Sequence, residues 1–217
     1  MKRLIIFDLD GTVGDTVESL AYTVNRCLRQ FAFPPLPEKS FYYYAGDGAR
    51  KMLERSLWDA GDKKGEYLDQ IYTLYCEEFK TGCTVGVKSF PGLPHVLEQL
   101  KEYGIMLAVC SNKAQQFAEA VVTRIYGEGL FDYILGERSD IPRKPDPAGP
   151  LYIAEELGVT PDECIYVGDT NTDMRTGLAA EMFTVGVTWG FRPRAELEEF
   201  HPDRIIDRPE ELLELNI

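Results

Sequence analysis

The stretch Arg3-Leu4-Ile5-Ile6-Phe7-Asp8-Leu9-Asp10-Gly11-Thr12 decides how this chain is read. Its first half is a short, β-branched, almost wholly apolar run, the pattern of a parallel strand buried on both faces. Its second half is polar and turns on a glycine, so two aspartates sit where the strand stops. Runs of the same kind recur at residues 105–110, 164–167 and 183–187, with shorter ones at 133–135 and 204–206. Helical periodicities lie between them. Leu93, Val96, Leu97 and Leu100 fall at i, i+3, i+4 and i+7, and Ala118, Val121, Val122 and Ile125 repeat that spacing. Leu151, Ala154 and Leu157 make a third stripe, closed by Gly158 as a C-cap. Strand and helix alternate from about residue 89 onward. The alternation predicts a doubly wound, Rossmann-like α/β core, a parallel sheet with helices on both faces.

Residues 14–83 break the alternation. Leu20, Val24, Cys27, Leu28 and Phe31 share one helical face, with Asp15 and Glu18 spaced as a capping box at its start. Met52, Arg55 and Leu57 fall in a second helical segment, and Leu68, Ile71, Tyr72, Tyr75 and Phe79 in a third. Pro34, Pro35 and Pro37 separate the first helix from the second. The chain therefore divides into an α/β core, residues 1–13 and 84–217, and an inserted all-helical cap, residues 14–83. The aromatic cluster Phe41-Tyr42-Tyr43-Tyr44 is expected to pack a small helical core. The segment from Ala195 to Ile217 carries eight acids against two arginines and reads as a solvated helix and tail.

Charge and composition exclude several classes. The 217 residues carry 36 acids against 23 bases, a formal charge of −13. A sequence pI near 4.7 argues against nucleic acid as a partner, since polyanions need a basic footprint. No apolar run approaches the roughly 20 residues that span a bilayer, so no membrane association is expected. Asp8 breaks the apolar stretch behind the basic Met1-Lys2-Arg3, so no signal peptide is expected either. Five cysteines without Cys-x-x-Cys spacing read as reduced thiols of a cytoplasmic protein. A monomer or homodimer is expected, which the cysteines do not decide.

In open α/β sheets, ligands bind beyond the carboxyl ends of the strands. Asp8 and Asp10 follow the first run, and Ser111 and Asn112 follow the 105–110 run. Lys144-Pro145 lies on a proline-rich loop after 133–135, and Gly168-Asp169, then Asp173, follow 164–167. Four segments thus bring carboxylates, a hydroxyl and an ammonium to one edge. The chemistry that suits such a set is phosphoryl transfer through a carboxylate. A bare aspartate facing a phosphate dianion is repelled, so a cation must stand between them; Asp8 and Asp169 can offer oxygens to Mg²⁺. Lys144 adds a fixed positive charge, and the Ser111 hydroxyl can bind phosphate oxygens. Attack by Asp8 gives an aspartyl-phosphate, while Asp10 can protonate the leaving oxygen and then activate water. Each motif alone has a plainer reading: a strand-ending turn for Asp8 and Asp10, helix caps for Ser111-Asn112, Asp169 and Asp173, a solvated lysine for Lys144.

Taken in order, Asp8-Leu9-Asp10-Gly11-Thr12, Ser111-Asn112, Lys144-Pro145 and Gly168-Asp169 with Asp173 resemble the four motifs of the haloacid dehalogenase-like hydrolases. They are similar in particular to the subgroup with a helical cap inserted after the first motif. The resemblance implies Asp8 as nucleophile and Asp10 as general acid and base. It implies Mg²⁺ held by Asp8, the Asp10 backbone carbonyl and Asp169, with Asp173 contributing directly or through water. Lys144 is implied to stabilise the nucleophile and the transferring group, and Ser111 and Asn112 to bind the phosphate. Relatives that cleave carbon–halogen bonds lack the second aspartate, so Asp10 favours phosphate esters.

Within the family the chain looks like the phosphoglycolate phosphatase branch, through Gly46-Asp47-Gly48-Ala49-Arg50 and through Thr188-Trp189-Gly190-Phe191. That resemblance implies a small phosphorylated metabolite as partner, phosphoglycolate first, and Arg50 as a cap residue pairing with its carboxylate. Arg50 has an equally plain reading as an exposed helix arginine. A phosphomutase on the same scaffold and a non-catalytic phosphate sensor are the competing expectations.

Overall fold

The computed structural model describes residues 2–215. In chain order it contains β1 (Leu4–Phe7), α1 (Val17–Gln30), α2 (Phe41–Tyr44), α3 (Ala49–Ala60), α4 (Leu68–Gly82), α5 (Leu93–Glu102), β2 (Met106–Ala114) and α6 (Gln115–Tyr126). There follow β3 (Tyr133–Glu137), α7 (Ala148–Glu156), β4 (Cys164–Gly168), α8 (Asn171–Ala179), β5 (Phe183–Val187), α9 (Arg194–Glu198) and β6 (Arg204–Ile206). The strands form one six-stranded parallel sheet in the order β3-β2-β1-β4-β5-β6. The doubly wound fold expected from the apolar runs is the fold observed.

The chain builds outward from β1 to β3 on one side, then returns to lay β4, β5 and β6 on the other. The order reverses between β1 and β4, and this switch point is where such sheets open a crevice. Register brings the two strand ends level: Leu4 faces Cys164 and Phe7 faces Val167, and the Asp8 N–H donates to the Val167 carbonyl at 2.8 Å. Asp8 and Asp169 therefore emerge side by side.

All four residues of β1 are buried, and they alternate between the two faces of the sheet. Leu4 and Ile6 pack with Ala108, Cys110, Leu135, Ile153 and Tyr166 on one face. Ile5 and Phe7 belong to the larger core on the other, which takes in Leu93, Val96, Leu97 and Leu100 of α5. That larger core runs on into α1, α3 and α4 through Leu20, Val24, Leu53, Leu57, Ile71 and Phe79. Phe79 of α4 meets Phe117 of α6 edge-to-face at 5.0 Å, so the helices between β1 and β2 share apolar contacts directly with those that flank the sheet.

Several local expectations are corrected. Asp15 and Glu18 form no capping box: Thr16 is the N-cap of α1, its side chain makes no capping bond, and Asp15 instead pairs with Lys88 at 3.4 Å. Phe31 lies past the end of α1 and is only partly buried. In α7 the face turned inward is Gly149, Pro150, Ile153 and Ala154, while Leu151 is exposed. The acidic C-terminal segment is anchored, with Leu197, Ile206, Leu212 and Leu215 all buried. Phe41 and Tyr44 are buried as expected, whereas Tyr43 stands exposed. Asn216 and Ile217, the end of the expected tail, lie outside the described residues.

Candidate active site

Each strand end delivers its polar residue for a local reason. Gly11 has a φ of +93°, a backbone that L side chains rarely adopt, and a Cβ there would fall 2.3 Å from Asp169 Oδ2. The turn after β1 can thus pass close beneath Asp169. At the end of β4, a Cβ on Gly168 would lie 2.2 Å from Asp173 Cβ, so only glycine lets α8 start so close to the strand. Thr170 caps α8 reciprocally with Asp173: the Asp173 N–H donates to Thr170 Oγ1 at 3.3 Å, and Asp173 Oδ2 accepts from the Thr170 N–H at 3.1 Å.

Asp8, Asp169 and Asp173 are buried, and one carboxylate oxygen from each lies within 4.8 Å of the others. Lys144 enters the cluster from the loop after β3. Its ammonium donates to Asp8 Oδ1 at 2.6 Å and to Asp173 Oδ1 at 2.8 Å. Among the described residues it is the only cation in ion-pairing reach of the three acids. Asp169 is held by the Thr12 hydroxyl at 2.9 Å on Oδ1 and by the Phe191 N–H at 2.6 Å on Oδ2. Asp173 is already engaged on both oxygens, by Lys144 and the Tyr166 hydroxyl on one and by Thr170 on the other.

Three buried acids against one lysine leave an excess of negative charge, and the ionisation equilibria register it. Burial, then the Asp173 charge, pushes Asp8 well above the ordinary carboxylate range, with Lys144 only partly opposing. Burial and Asp173 push Asp169 up to about 7 against the hydrogen bonds from Phe191 and Thr12. Burial alone would lower Lys144, but Asp173 and Asp8 outweigh it and hold the ammonium charged. An all-oxygen, carboxylate-rich cluster short of positive charge is what a hard divalent cation requires, so the residues present fit Mg²⁺.

Beside the cluster a cavity of about 660 Å³, its mouth included, separates the strand ends from α1, α3 and α4. Asp8, Asp10, Ser111, Asn112 and Lys113 line its floor, and Leu20, Met52, Tyr75, Phe79 and Phe117 are among the residues of its walls. Asp10 accepts the Thr16 hydroxyl at 2.6 Å on Oδ1. The Ser111 hydroxyl accepts the Lys113 N–H at 3.2 Å. The Asn112 side chain is spent on loops: its amide donates to the Lys144 and Gly46 carbonyls, and its oxygen accepts the Lys144 N–H at 3.0 Å. It stitches the lysine loop to the turn before α3.

The structure brings together Asp8, Asp10, Ser111, Asn112, Lys144, Asp169 and Asp173. It does not bring Arg50 to them. Ala49 and Met52 turn inward to the cavity, which rotates Arg50 away from it. The Arg50 side chain is 47% exposed, pairs with Asp69 at 2.6 Å and lies over the Tyr72 ring. Arg50, expected to pair with a substrate carboxylate, is thus placed beside Tyr72 at the outer side of the cavity wall and engaged with Asp69. Sequence reasoning missed Lys113, Thr12 and the Phe191 N–H. Lys113 carried a signal, since the alternation of a strand continuing past Cys110 puts it on the same side as Ser111. Thr12 and Phe191 carried none, because their roles depend on loops meeting across the switch point.

Fold and site together define a doubly wound α/β enzyme built around a buried carboxylate–lysine cluster. The model of the haloacid dehalogenase-like hydrolase family matches residues 5–187. The phosphoglycolate phosphatase of Haemophilus influenzae strain Rd is 33% identical over 219 residues, covering 98% of this chain and 97% of that one. The phosphoglycolate phosphatase of Aquifex aeolicus is 30% identical over 213 residues, covering 98% and 96%. The crystal structure of a predicted phosphoglycolate phosphatase from Haemophilus somnus 129PT superposes with a TM-score of 0.91 at 26% identity, covering 100% and 98%. The chain belongs to the haloacid dehalogenase-like hydrolases, and within them it is similar to phosphatases. No helix among the described residues is long and apolar enough to cross a membrane.

Proposed function

We propose that the chain is a Mg²⁺-dependent phosphatase of small phosphorylated metabolites, with phosphoglycolate its first substrate, acting through an aspartyl-phosphate on Asp8. The observation that carries this reading is the cluster at the switch point, where three buried carboxylates converge on one lysine. Such a cluster, short of positive charge, costs stability unless it holds a cation. In this reading residues 14–83 form a cap over a core of residues 1–13 and 84–217, and the enzyme works in the cytoplasm as a monomer or homodimer.

Asp8 and Asp169 would hold Mg²⁺ with the Asp10 carbonyl, and Asp173 would support the site through Lys144 or a water. The ion supplies the positive charge that lets two anions approach and draws electron density from phosphorus. Asp8 then attacks in line and the ester oxygen departs. Asp10, at the cavity edge, protonates that oxygen and afterwards removes a proton from the water that hydrolyses the phospho-aspartate. Lys144 neutralises charge at Asp8 throughout, and Ser111 donates to the phosphoryl oxygens. Asn112 acts from behind, fixing the loop that carries Lys144.

The test is a panel of phosphorylated metabolites with Mg²⁺ and with EDTA, followed by acid-quench trapping of a phosphoenzyme. Turnover that requires Mg²⁺, with label retained in wild type and absent from Asp8→Asn, is the expected result. Metal-independent turnover, or a phosphoenzyme surviving Asp8→Asn, would overturn the mechanism. A long-lived phosphoenzyme that passes its phosphoryl group to a sugar phosphate would establish a mutase instead.

A further inference from the structure

The floor of the cavity holds a lysine that the proposed mechanism does not use. Lys113 sits at the end of β2, and its side chain is only 4% exposed. Its ammonium lies 2.9 Å from Asp10 Oδ1 and 4.9 Å from the centre of the Phe79 ring. Asp10 is the one carboxylate in ion-pairing reach of it among the described residues, and that carboxylate oxygen is shared with the Thr16 hydroxyl. Among the described residues lining the cavity, Lys113 is the only lysine or arginine. Glu137, also on the lining, is turned to Arg143 at 3.3 Å.

A buried ammonium is expensive to keep for packing alone, and it carries three N–H donors. Its position decides what it can meet. Asp8 marks one side of the phosphorus and Asp10, as the proton donor, marks the leaving oxygen. A group next to Asp10 therefore faces the first atoms of the alcohol that departs. Leu20, Met52, Tyr75, Phe79 and Phe117 are among the other lining residues, a largely apolar surround that offers a carbon skeleton packing but few further polar partners. Arg50, the cap cation expected to serve this purpose, is turned to Asp69 outside the cavity.

Resting on the phosphatase reading, we infer that Lys113 is the specificity-determining residue: it pairs with a carboxylate carried one carbon from the ester oxygen. The substrate class is the phosphate monoesters of short 2-hydroxy acids. The carboxylate takes a free N–H of the ammonium whose other donor meets Asp10, in the state where Asp10 carries the proton it will deliver, and its carbon packs against Phe79. A bulkier or uncharged alcohol leaves the ammonium without its second partner.

Phosphoglycolate and ethyl phosphate form a matched pair, similar in length and differing in the carboxylate. Steady-state kinetics on both are measured for wild type, Lys113→Met and Lys113→Arg. In wild type, kcat/KM favours phosphoglycolate; in Lys113→Met that preference falls about 10- to 150-fold, the worth of a charge-assisted hydrogen bond, mainly through KM. Lys113→Arg recovers part of it. Equal losses on both substrates, carried by kcat, would show that Lys113 acts only through Asp10 and would overturn the inference. So would a wild type without preference between the two, and this outcome needs no variant to fold. Turnover of other phosphate esters but of neither of these two would overturn the inference alone, whereas absence of Mg²⁺-dependent hydrolysis across the whole metabolite panel would defeat the phosphatase reading itself.

Discussion

Binding of Mg²⁺ should weaken about tenfold between about pH 8 and about pH 6, and the cause lies in Asp169. Without a metal this carboxyl titrates at about 7, raised first by burial and then by the Asp173 charge. A metal ligand must be deprotonated, so below that value the ion has to expel a proton. One such group multiplies the apparent dissociation constant by 1 + 10^(pKa − pH), about 11 at pH 6 and about 1.1 at pH 8. Asp8, raised well above its ordinary value by the same two causes, adds in the same direction. A carboxylate near its reference value of about 4 would give no change over this range. Titration calorimetry at both pH values, in buffers of different ionisation enthalpy, reads the affinity and the proton count together. Release of about one proton or more per Mg²⁺ at pH 6 is expected. Equal affinities at the two pH values with no proton released would refute the idea that burial and crowding govern this site. The same shift sets stability. The folded value of Asp169 lies above its unfolded one, so its contribution to the fold is full below about pH 4 and is lost as pH rises through about 7. The metal-free protein should therefore melt lower at pH 8 than at pH 5, and saturating Mg²⁺ should cancel the difference.

Three substitutions test separate parts of the structure. Asp10→Asn should lower turnover about 10²- to 10⁴-fold while Mg²⁺ affinity stays within about threefold, because the backbone carbonyl is untouched; calorimetry showing lost metal binding would contradict its role as acid and base. Gly168→Ala puts a carbon 2.2 Å from Asp173 Cβ, so α8 must shift and Lys144 with it. Its expected signature is a markedly lower melting temperature together with lost Mg²⁺ protection, and a variant matching wild type in both would show that α8 can move freely. Phe79→Ala removes a fully buried ring that stacks on Tyr75 at 4.8 Å and meets Phe117 edge-on at 5.0 Å. Denaturant titration should show a loss of about 3–5 kcal/mol, and a loss below about 1 kcal/mol would mean the inserted helices contribute little to the common core.

What could be read from residue order, and what could not, divides along a physical line. β1, β4 and β5 declare themselves because strands buried on both faces are nearly continuous apolar runs between turns. The edge of the sheet where Asp8, Ser111 and Asp169 gather is equally legible, since parallel strands all present their carboxyl ends to one side. β2 is the instructive failure. Its apolar run stops at Cys110, yet the strand continues through Ser111, Asn112 and Lys113 to Ala114. Polar residues after an apolar run normally mark a turn, and here tertiary contacts override that rule. The three polar residues are buried because Asn112 satisfies the backbone of the Lys144 loop, while Ser111 and Lys113 face the cavity. Helix faces are less legible for a different reason. Whether Arg50 or its neighbours Ala49 and Met52 meet the cavity depends on the rotation of α3 about its axis, which only packing against α4 settles. The same holds for Leu151 against Ile153 in α7, and for the acid-rich tail whose Leu212 and Leu215 find the core despite the charges around them. Local rules are broken most densely at Asp8, Lys113, Lys144, Asp169 and Asp173, all buried and all ionisable. A chain shaped by stability alone would place apolar side chains there, since replacing buried ion pairs by packed hydrocarbon is often neutral or better. Keeping five such groups at one switch point, with Asp169 held by Thr12 and the Phe191 N–H and Asp173 by Thr170 and Tyr166, sacrifices stability for a preorganised charge array. An array with more buried carboxylates than lysines is completed by positive charge that the chain itself does not supply, which is the place a divalent cation would take.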